Sequence, residues 1–488
     1  MTQLLLAATV GLVAWGALAF GAVYPWAWTP LIAACAAVGV TGAMAARTRG
    51  GRADDRGLLV ALLVLACGVS LQLVPLPRDV RLAISPATEP FLLQNDLAYL
   101  VGTTAGADPS DEAPPRPLSI YSPATERGLV LLAGLMLLLA GLTRLLSVIG
   151  SRRLATAIVA IGLLLALIGI IQFAVLGDHA YGGMKIYGFW APMNKLTTPF
   201  GPFVNKNHFA GWMLMGLPLA ISLGLGWFER TAGRTSRGWR AVLQWASSPE
   251  GGKAQLCVLA ATVMAVSLLM TRSRSGLAGF MLALMLAGVV VSRRFGGSRA
   301  RATALGVLAL LLVVSFAWAG VNMSDRFATG GGSVDLRRHI WRDAMTVVRA
   351  FPLVGTGFNT FSTAMAVYQT PPTEGHFQEA HNDYLQVVVE GGVLLAVPAA
   401  AALALLVAGI RRRFAAGDED GMAYWLRVGA TTGLIAIALQ SLVEFSLQMP
   451  GNAVMAVVLM AIALHEAPTR VRVPVRVPAP RRRRHAPA

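Results

Sequence analysis

Charge is scarce in this sequence, since only 13% of its 488 residues are Asp, Glu, Lys or Arg. Soluble domains carry about a quarter of charged residues, so this chain is not an ordinary soluble protein. Cysteine is scarce too, and the three cysteines all lie in or beside apolar segments: Cys35, Cys67 and Cys257. They offer neither a disulfide framework nor a CxxC metal motif.

Apolar residues make up 55% of the sequence and occur in long blocks. Most blocks are roughly 18–22 residues long, the length that crosses a hydrocarbon core of about 30 Å. Runs such as Leu129–Ala140 and Ile158–Ile171 do not alternate, which favours helices over barrel strands. We therefore predict an all-α polytopic membrane protein with about twelve transmembrane helices. These lie near 4–22, 27–46, 57–74, 127–147, 154–174, 208–228, 254–271, 275–292, 302–321, 386–409, 423–443 and 452–466.

Positive charge is concentrated in every second connection between the predicted spans. The formal net charge is +17, but arginines between apolar blocks mark the cytoplasmic side rather than a nucleic-acid partner. This alternation predicts that both termini are cytoplasmic. The basic segments are Arg47 to Arg56, Arg144 to Arg153, Arg230 to Lys253, Arg293 to Arg301, Arg411 to Arg413 and Arg481–Arg484.

Three parts of the chain follow from this topology. Residues 1–174 form N-terminal membrane helices with an outer loop at 75–126, which we expect to be partly irregular. Residues 175–466 form the second membrane region, with a large outer loop at 322–385. Residues 467–488 form a basic tail, predicted to be disordered at the anionic inner leaflet.

Two basic clusters lie on the predicted outer side. Lys206 and His208 stand where a loop becomes a spanning helix, and a lysine at a helix N-terminus favours an anion. A capped helix whose lysine extends to the membrane interface is the alternative. Arg272 and Arg274 occupy a tight outer connection, against the positive-inside trend. Arginine binds phosphate with a planar fork of donors, although a plain interfacial arginine pair is the alternative.

The large outer loop is predicted to contain two amphipathic helices that cover the spans. Apolar residues recur at helical spacing from Ser333 or Asp335 to Phe351, and a second helix is expected near 360–368. Helices of this kind lie on a membrane surface. We interpret Trp341 and Phe351 as packing residues.

His381 is the candidate general base, because imidazole exchanges a proton near neutral pH. A helix-entry hydrogen bond is the alternative role. Glu390 lies further along the same helix, where an embedded acid is usually functional or paired. The acids and histidines nearby match no standard metal-ligand spacing, so neither a metal nor another cofactor is predicted. These residues are Glu374, His376, Glu379, His381 and Asp383.

Five segments together resemble the O-antigen ligase and Wzy-type polysaccharide polymerase superfamily. The resemblance covers about residues 195–455. The segments are PFVNKNHFAGW (202–212), TRSRSG (271–276), RRHIWRDAMTVVRAFPLVGTGFNTF (337–361), EAHNDYLQVVVEGG (379–392) and EFSLQMPGNA (444–453).

The resemblance implies a metal-independent, inverting C-type glycosyltransferase. Its donor would be a glycan on undecaprenyl pyrophosphate, and its acceptor a sugar hydroxyl outside the bacterial inner membrane. His381 would take the proton of that hydroxyl, and Arg337 or Arg338 would hold pyrophosphate or glycan. Further expected contacts with the donor or the glycan are Lys206, His208, Arg272, Arg274, Asn382 and Glu390.

Several activities share these motifs. A polymerase of exopolysaccharide or O-antigen is the leading prediction, followed by a ligase to the lipid A-core. A protein O-oligosaccharyltransferase is disfavoured, because no added acceptor domain is evident. From another class, a flippase or transporter would show related halves and charges near the membrane midplane. Expected partners are the carrier-linked donor, a glycan or lipid-core acceptor, membrane lipids and polysaccharide assembly or export proteins.

Overall fold

The computed structural model describes residues 1–49, 56–104, 115–176, 185–192, 197–232, 239–294, 331–371, 375–417 and 420–467, with a few isolated positions at 302–309. Within these ranges the regular structure is helical, apart from isolated bridges. The predicted basic tail, apart from Ala467, lies outside the described residues.

Eight described helices are long and apolar enough to cross a membrane. They are α2 (Pro25–Arg47), α7 (Ser122–Ile149), α8 (Arg152–Leu176), α9 (Lys206–Ala232), α11 (Pro249–Met270), α12 (Arg274–Arg294), α15 (Asp383–Ala415) and α16 (Gly421–Gln440).

Shorter apolar helices occupy three further predicted spans: α1 (Thr2–Leu18), α3 (Arg56–Leu71) and α17 (Pro450–Leu464). The predicted span at 302–321 lies almost entirely outside the described residues, so the number twelve stays a prediction. The remaining helices are α4 (Arg78–Ile84), α5 (Thr88–Asn95), α6 (Leu97–Thr104), α10 (Trp239–Ala246), α13 (Gly331–Ala350) and α14 (Phe361–Tyr368).

Glycines bring α2 and α7 into direct backbone contact. A Cβ atom added at Gly39 would lie 2.2 Å from the carbonyl oxygen of Leu137. One added at Gly141 would lie 1.8 Å from the carbonyl oxygen of Gly39. Small residues at such crossings allow the close van der Waals packing on which helix association in lipid depends.

Arginines at or just after two helix ends bind neighbouring helices at one end of the bundle. Arg49 donates to the Thr2 hydroxyl at 2.9 Å, joining the end of α2 to the start of α1. Arg413 pairs with Glu466 at 2.6 Å, joining the ends of α15 and α17. This grouping agrees with the alternation of charge along the sequence, while the side of the membrane stays a prediction.

The opposite end of the bundle carries a cap, which we define as α4–α6, α13, α14 and the segments that join them to the spans. Its apolar core includes Phe91, Ile340 and Phe351. Both helices predicted in the large outer loop are present as α13 and α14. Phe351 is buried and the Trp341 indole donates to the Ala380 carbonyl at 2.9 Å, so both are packing residues as predicted. Within the 75–126 loop the short helices α4–α6 are joined by irregular segments.

Candidate functional site

One carboxylate, Glu444, joins three segments that are distant in sequence. It lies in the connection between α16 and α17, and its side chain is only 2% exposed. Its Oε1 accepts hydrogen bonds from Asn207 Nδ2, at 2.9 Å, and from Arg337 Nη2. Its Oε2 faces Nδ1 of His381 at 3.6 Å. The cap, the start of α9 and the histidine segment therefore meet at this residue.

His381 is held in a constrained backbone conformation just before α15. Its φ of +48° lies in the left-handed region, which costs a non-glycine residue about 1 kcal/mol or more. Hydrogen bonds fix the chain on both sides. The Ala380 amide donates to Gln386 at 3.0 Å, and the Asp383 amide donates to the Ser441 carbonyl at 2.9 Å. The side chain of His381 is 31% exposed, so a substrate can reach it.

Phe445 lies between the two predicted histidines. Its ring meets His208 and His381 edge to face, with both pairs of ring centroids 4.7 Å apart. His208 is buried, and its carbonyl accepts from Asn452 Nδ2 at 3.0 Å. The structure thus places His208 behind Phe445, whereas His381 lies at the open side. A direct contact of His208 with substrate stays a prediction.

Electrostatics keep Glu444 ionised. Burial alone would raise its pKa, but the interaction with His381 and the charge of Arg337 oppose the effect of burial, and the net shift of the pKa is downward. An ionised Glu444 is thus an acceptor that can stabilise a protonated imidazole.

Glu379, which also lies outside the spans, has a raised pKa, in contrast to Glu444. The burial of Glu379, together with the nearby acids Glu390 and Asp383, raises its pKa to about 8.

The other predicted basic residues lie at the same end of the bundle. Lys206 is the first residue of α9, directly before Asn207, and it is half-buried. Arg272 lies in the turn between α11 and α12, Arg274 is the first residue of α12, and both are half-buried. The start of α12 packs against the start of α9, since a Cβ added at Gly276 would be 2.9 Å from Cβ of Ala210. Folding therefore brings three cationic residues near the start of α9.

The two candidate arginines of α13 occupy different environments. Arg337 reaches into the site and pairs with Glu444. Arg338 has a 71% exposed side chain, and it pairs with the equally exposed Asp335 at 3.7 Å. Of the two, Arg337 is therefore the one within the site.

Glu390 and Asn382 are hydrogen-bonded to the scaffold around the site. Glu390 is buried and accepts from the amides of Asn359, at 2.7 Å, and Phe361, at 3.1 Å. Asn382 caps α15 by accepting from the Leu385 amide at 3.0 Å. Glu390 thus fastens the turn before α14 to a spanning helix. Substrate contacts by these two residues stay predictions, and the geometry adds no support for them.

The sequence interpretation missed Glu444 and Phe445. Both belong to the segment EFSLQMPGNA, which contributed to the family resemblance but received no role. The available signal was an acidic residue in a short connection between two apolar spans, the kind of position where an acid is usually paired or functional. Its partners could not be identified, because Asn207 and Arg337 are far away in the chain.

No metal site is evident among the described residues. No group of three or more His, Cys, Asp or Glu side chains there could hold a metal ion, and Glu374 lies outside the described residues. A shallow cavity of about 310 Å³ lies on the cap beside His376. Gln369 lines it, but its amide is bonded to the Gly375 carbonyl and the Phe377 amide. None of the residues that line this cavity belongs to the cluster around Glu444.

The fold and the site define a class of multi-pass membrane proteins in which a cap and the helix ends enclose a histidine and basic side chains. Residues 259–400 match the protein family described as O-Antigen ligase. The resemblance to the O-antigen ligase and Wzy-type superfamily is thereby confirmed, and the match supports a membrane enzyme that transfers glycans. It includes Arg337 and His381 but not Glu444. No curated protein matches the chain.

Proposed function

We propose that the protein transfers a glycan from undecaprenyl pyrophosphate to a sugar hydroxyl on the periplasmic face of the inner membrane. The observation that carries this proposal is the convergence of His381, Arg337 and Glu444 beside the start of α9. A base and several cations at one end of a membrane bundle suit a neutral nucleophile and an anionic leaving group.

The proposed reaction is a single displacement. His381 takes the proton of the acceptor hydroxyl, whose oxygen forms a bond to the anomeric carbon. The bond between that carbon and the phosphate oxygen breaks, and its electron pair leaves with the pyrophosphate. Attack opposite the leaving group inverts the anomeric centre.

Basic side chains would stabilise the departing pyrophosphate. Lys206 begins α9, Arg272 and Arg274 lie at the neighbouring start of α12, and Arg337 approaches from the cap. Cations aimed at developing negative charge stabilise the transition state more than the ground state. In this proposal they bind the donor and supply the charge neutralisation that other transferases obtain from a metal ion.

We propose a polymerase as the particular activity, with ligase as the second candidate because the matched family is described as O-Antigen ligase. Both reactions use a sugar hydroxyl as the nucleophile, so one site serves either. A deletion strain distinguishes them. Single repeat units on the carrier or on the lipid core indicate a polymerase, whereas finished polymer left on the carrier indicates a ligase.

Purified protein in liposomes tests the transfer itself. With a pyrophosphate-linked donor and a glycan acceptor, wild-type protein should form product and His381→Ala should form at least about 100-fold less. The matched control is His376→Ala, since that exposed histidine lies in the same segment and bonds to Ser362. Normal product formation by His381→Ala would reject the proposal. Movement of donor across the bilayer without transfer would favour a flippase.

A further inference from the structure

Glu444 has two carboxylate oxygens with different partners. Oε1 is bound by Arg337 and Asn207, whereas Oε2 points at Nδ1 of His381 across 3.6 Å. That separation is slightly longer than an ordinary hydrogen bond. Neither Oε2 nor Nδ1 has another hydrogen-bond partner among the described residues. The carboxylate is thus close to completing a contact with the candidate base.

Arg337 is the link between this carboxylate and an anionic substrate. It extends from the cap helix α13, and its side chain is 24% exposed beside the almost fully buried Glu444. A guanidinium at such a position is open to a second anion. A pyrophosphate offers more negative charge and more acceptor oxygens than one carboxylate, and arginine binds both in the same forked geometry.

We propose that Glu444 is the positioning residue of His381 and that Arg337 couples it to donor binding. This inference rests on the proposed transfer reaction. When the pyrophosphate of the donor engages Arg337, Glu444 loses part of its cationic partner. Its charge then acts on His381, and the contact from Nδ1–H to Oε2 shortens to a hydrogen bond. Contacts of this kind often tighten only when the substrate is bound.

The proton balance is complete without another reactant. The acceptor hydroxyl loses its proton to Nε2 of His381 as the new carbon–oxygen bond forms. Nδ1–H donates to Oε2 of Glu444, which remains a carboxylate and stabilises the imidazolium. The electron pair of the broken bond stays on the pyrophosphate. The coupling of Arg337, Glu444 and His381 thus makes His381 an effective base when the donor is bound.

A purely structural role is the competing explanation, because Glu444 also ties the cap to α9. The two explanations differ in kinetics. Loss of a structural link lowers the amount of folded enzyme or weakens all binding together. Loss of a positioning carboxylate lowers kcat and changes the pH dependence of the rate, while donor binding is retained.

The test uses the full-length protein in liposomes with the lipid pyrophosphate donor. Glu444→Gln should lower kcat about 30-fold or more, which is less than the roughly 100- to 10,000-fold of a complete general base because the imidazole itself is retained. Its KM for the donor should stay the same or fall, since Arg337 is released. The acidic limb of the pH–rate profile should move to lower pH, because the imidazolium loses its anionic partner. Glu466→Gln is the matched control, as that acid pairs with Arg413 at the opposite end of the bundle.

Arg337→Ala provides the second arm. It should raise the KM for the donor about tenfold or more, the value of one lost charge-assisted contact. It should also move the acidic limb to higher pH, opposite to Glu444→Gln, because the Glu444 charge then acts on His381 without a competing cation. Arg342→Ala, an exposed arginine on the same helix, is its control. If Glu444→Gln does not accumulate in membranes, Glu444→Asp replaces it, with the same directions of change and smaller size.

Two results would overturn the inference. One is a wild-type kcat and pH profile in Glu444→Gln. The other is a lower kcat accompanied by a higher donor KM and an unmoved acidic limb, which indicates a structural role. If His381→Ala is inactive in the same assay, either result rejects this inference alone. If His381→Ala is active, the proposed function itself has failed.

Discussion

Replacement of Glu390 tests whether this embedded acid holds the scaffold or the substrate. Its side chain is 3% exposed in α15 and accepts three hydrogen bonds. Two come from the backbone amides of Asn359 and Phe361, and the third comes from Gln386. Because the two amides belong to the cap, whereas Gln386 lies in α15 itself, loss of the carboxylate should loosen the turn before α14.

The size of the effect follows from the donors that would be left unpaired. A buried donor without its acceptor costs about 1–3 kcal/mol, so Glu390→Ala should destabilise the fold by roughly 4 kcal/mol. Glu390→Gln keeps the shape and one acceptor oxygen, but its amide NH₂ faces a donor. Glu390→Gln should therefore lower the free energy of unfolding by about 2 kcal/mol.

Thermal and denaturant-induced unfolding of the purified variants in detergent measures this loss. Glu126→Gln is the control, because Glu126 is an exposed acid at the start of α7. We expect its stability to equal that of the wild type. We also expect the folded fraction of Glu390→Gln to keep the wild-type donor KM. Unchanged stability together with a higher donor KM would refute this reasoning and restore Glu390 as a substrate contact.

Two further predictions concern packing and pH. Gly141→Ala should lower stability and the amount of protein in the membrane, because its Cβ would be 1.8 Å from the Gly39 carbonyl oxygen. Gly11→Ala is the control and should leave stability unchanged, because Gly11 has open space around it. If both variants had the same melting temperature, the close packing of α2 and α7 would be contradicted. Burial raises the pKa of Glu379 from its ordinary 4.5 to about 8, so the folded state holds a proton that the unfolded state has lost. Stability should therefore fall as pH rises through this window. In Glu379→Gln the free energy of unfolding should depend less on pH in this window, as measured by unfolding titrations at several pH values. If the variant kept the wild-type pH dependence, Glu379 would not be the group responsible.

The sequence by itself determined where the membrane helices lie. Hydropathy and length are local properties, because each span must bury its own apolar surface and satisfy its own backbone hydrogen bonds in lipid. The segments of α7, α8 and α11 could therefore be predicted from composition alone. The helical period in the large outer loop likewise predicted α13, and Asn382 immediately precedes α15, where an asparagine favours helix initiation.

The tertiary structure decided which of the predicted polar residues meet. Arg337 and Arg338 are adjacent and chemically identical, and only the docking of α13 turns one toward Glu444 and leaves the other 71% exposed. Glu390 had the sequence signature of a functional acid, yet its acceptors are occupied by amides of a turn about 30 residues away. Contacts at such separations depend on how the helices pack, and a local sequence pattern carries no information about them.

Glu444 shows this division most clearly. Its position between two apolar spans could be read from the sequence, whereas its partners lie 107 and 237 residues away. The polar interior that it shares with His381 exists only after α9, α13 and α15 have assembled. The sequence thus determined a membrane protein with a histidine at a helix entry, and the packing of the cap on the bundle decided which carboxylate faces that histidine.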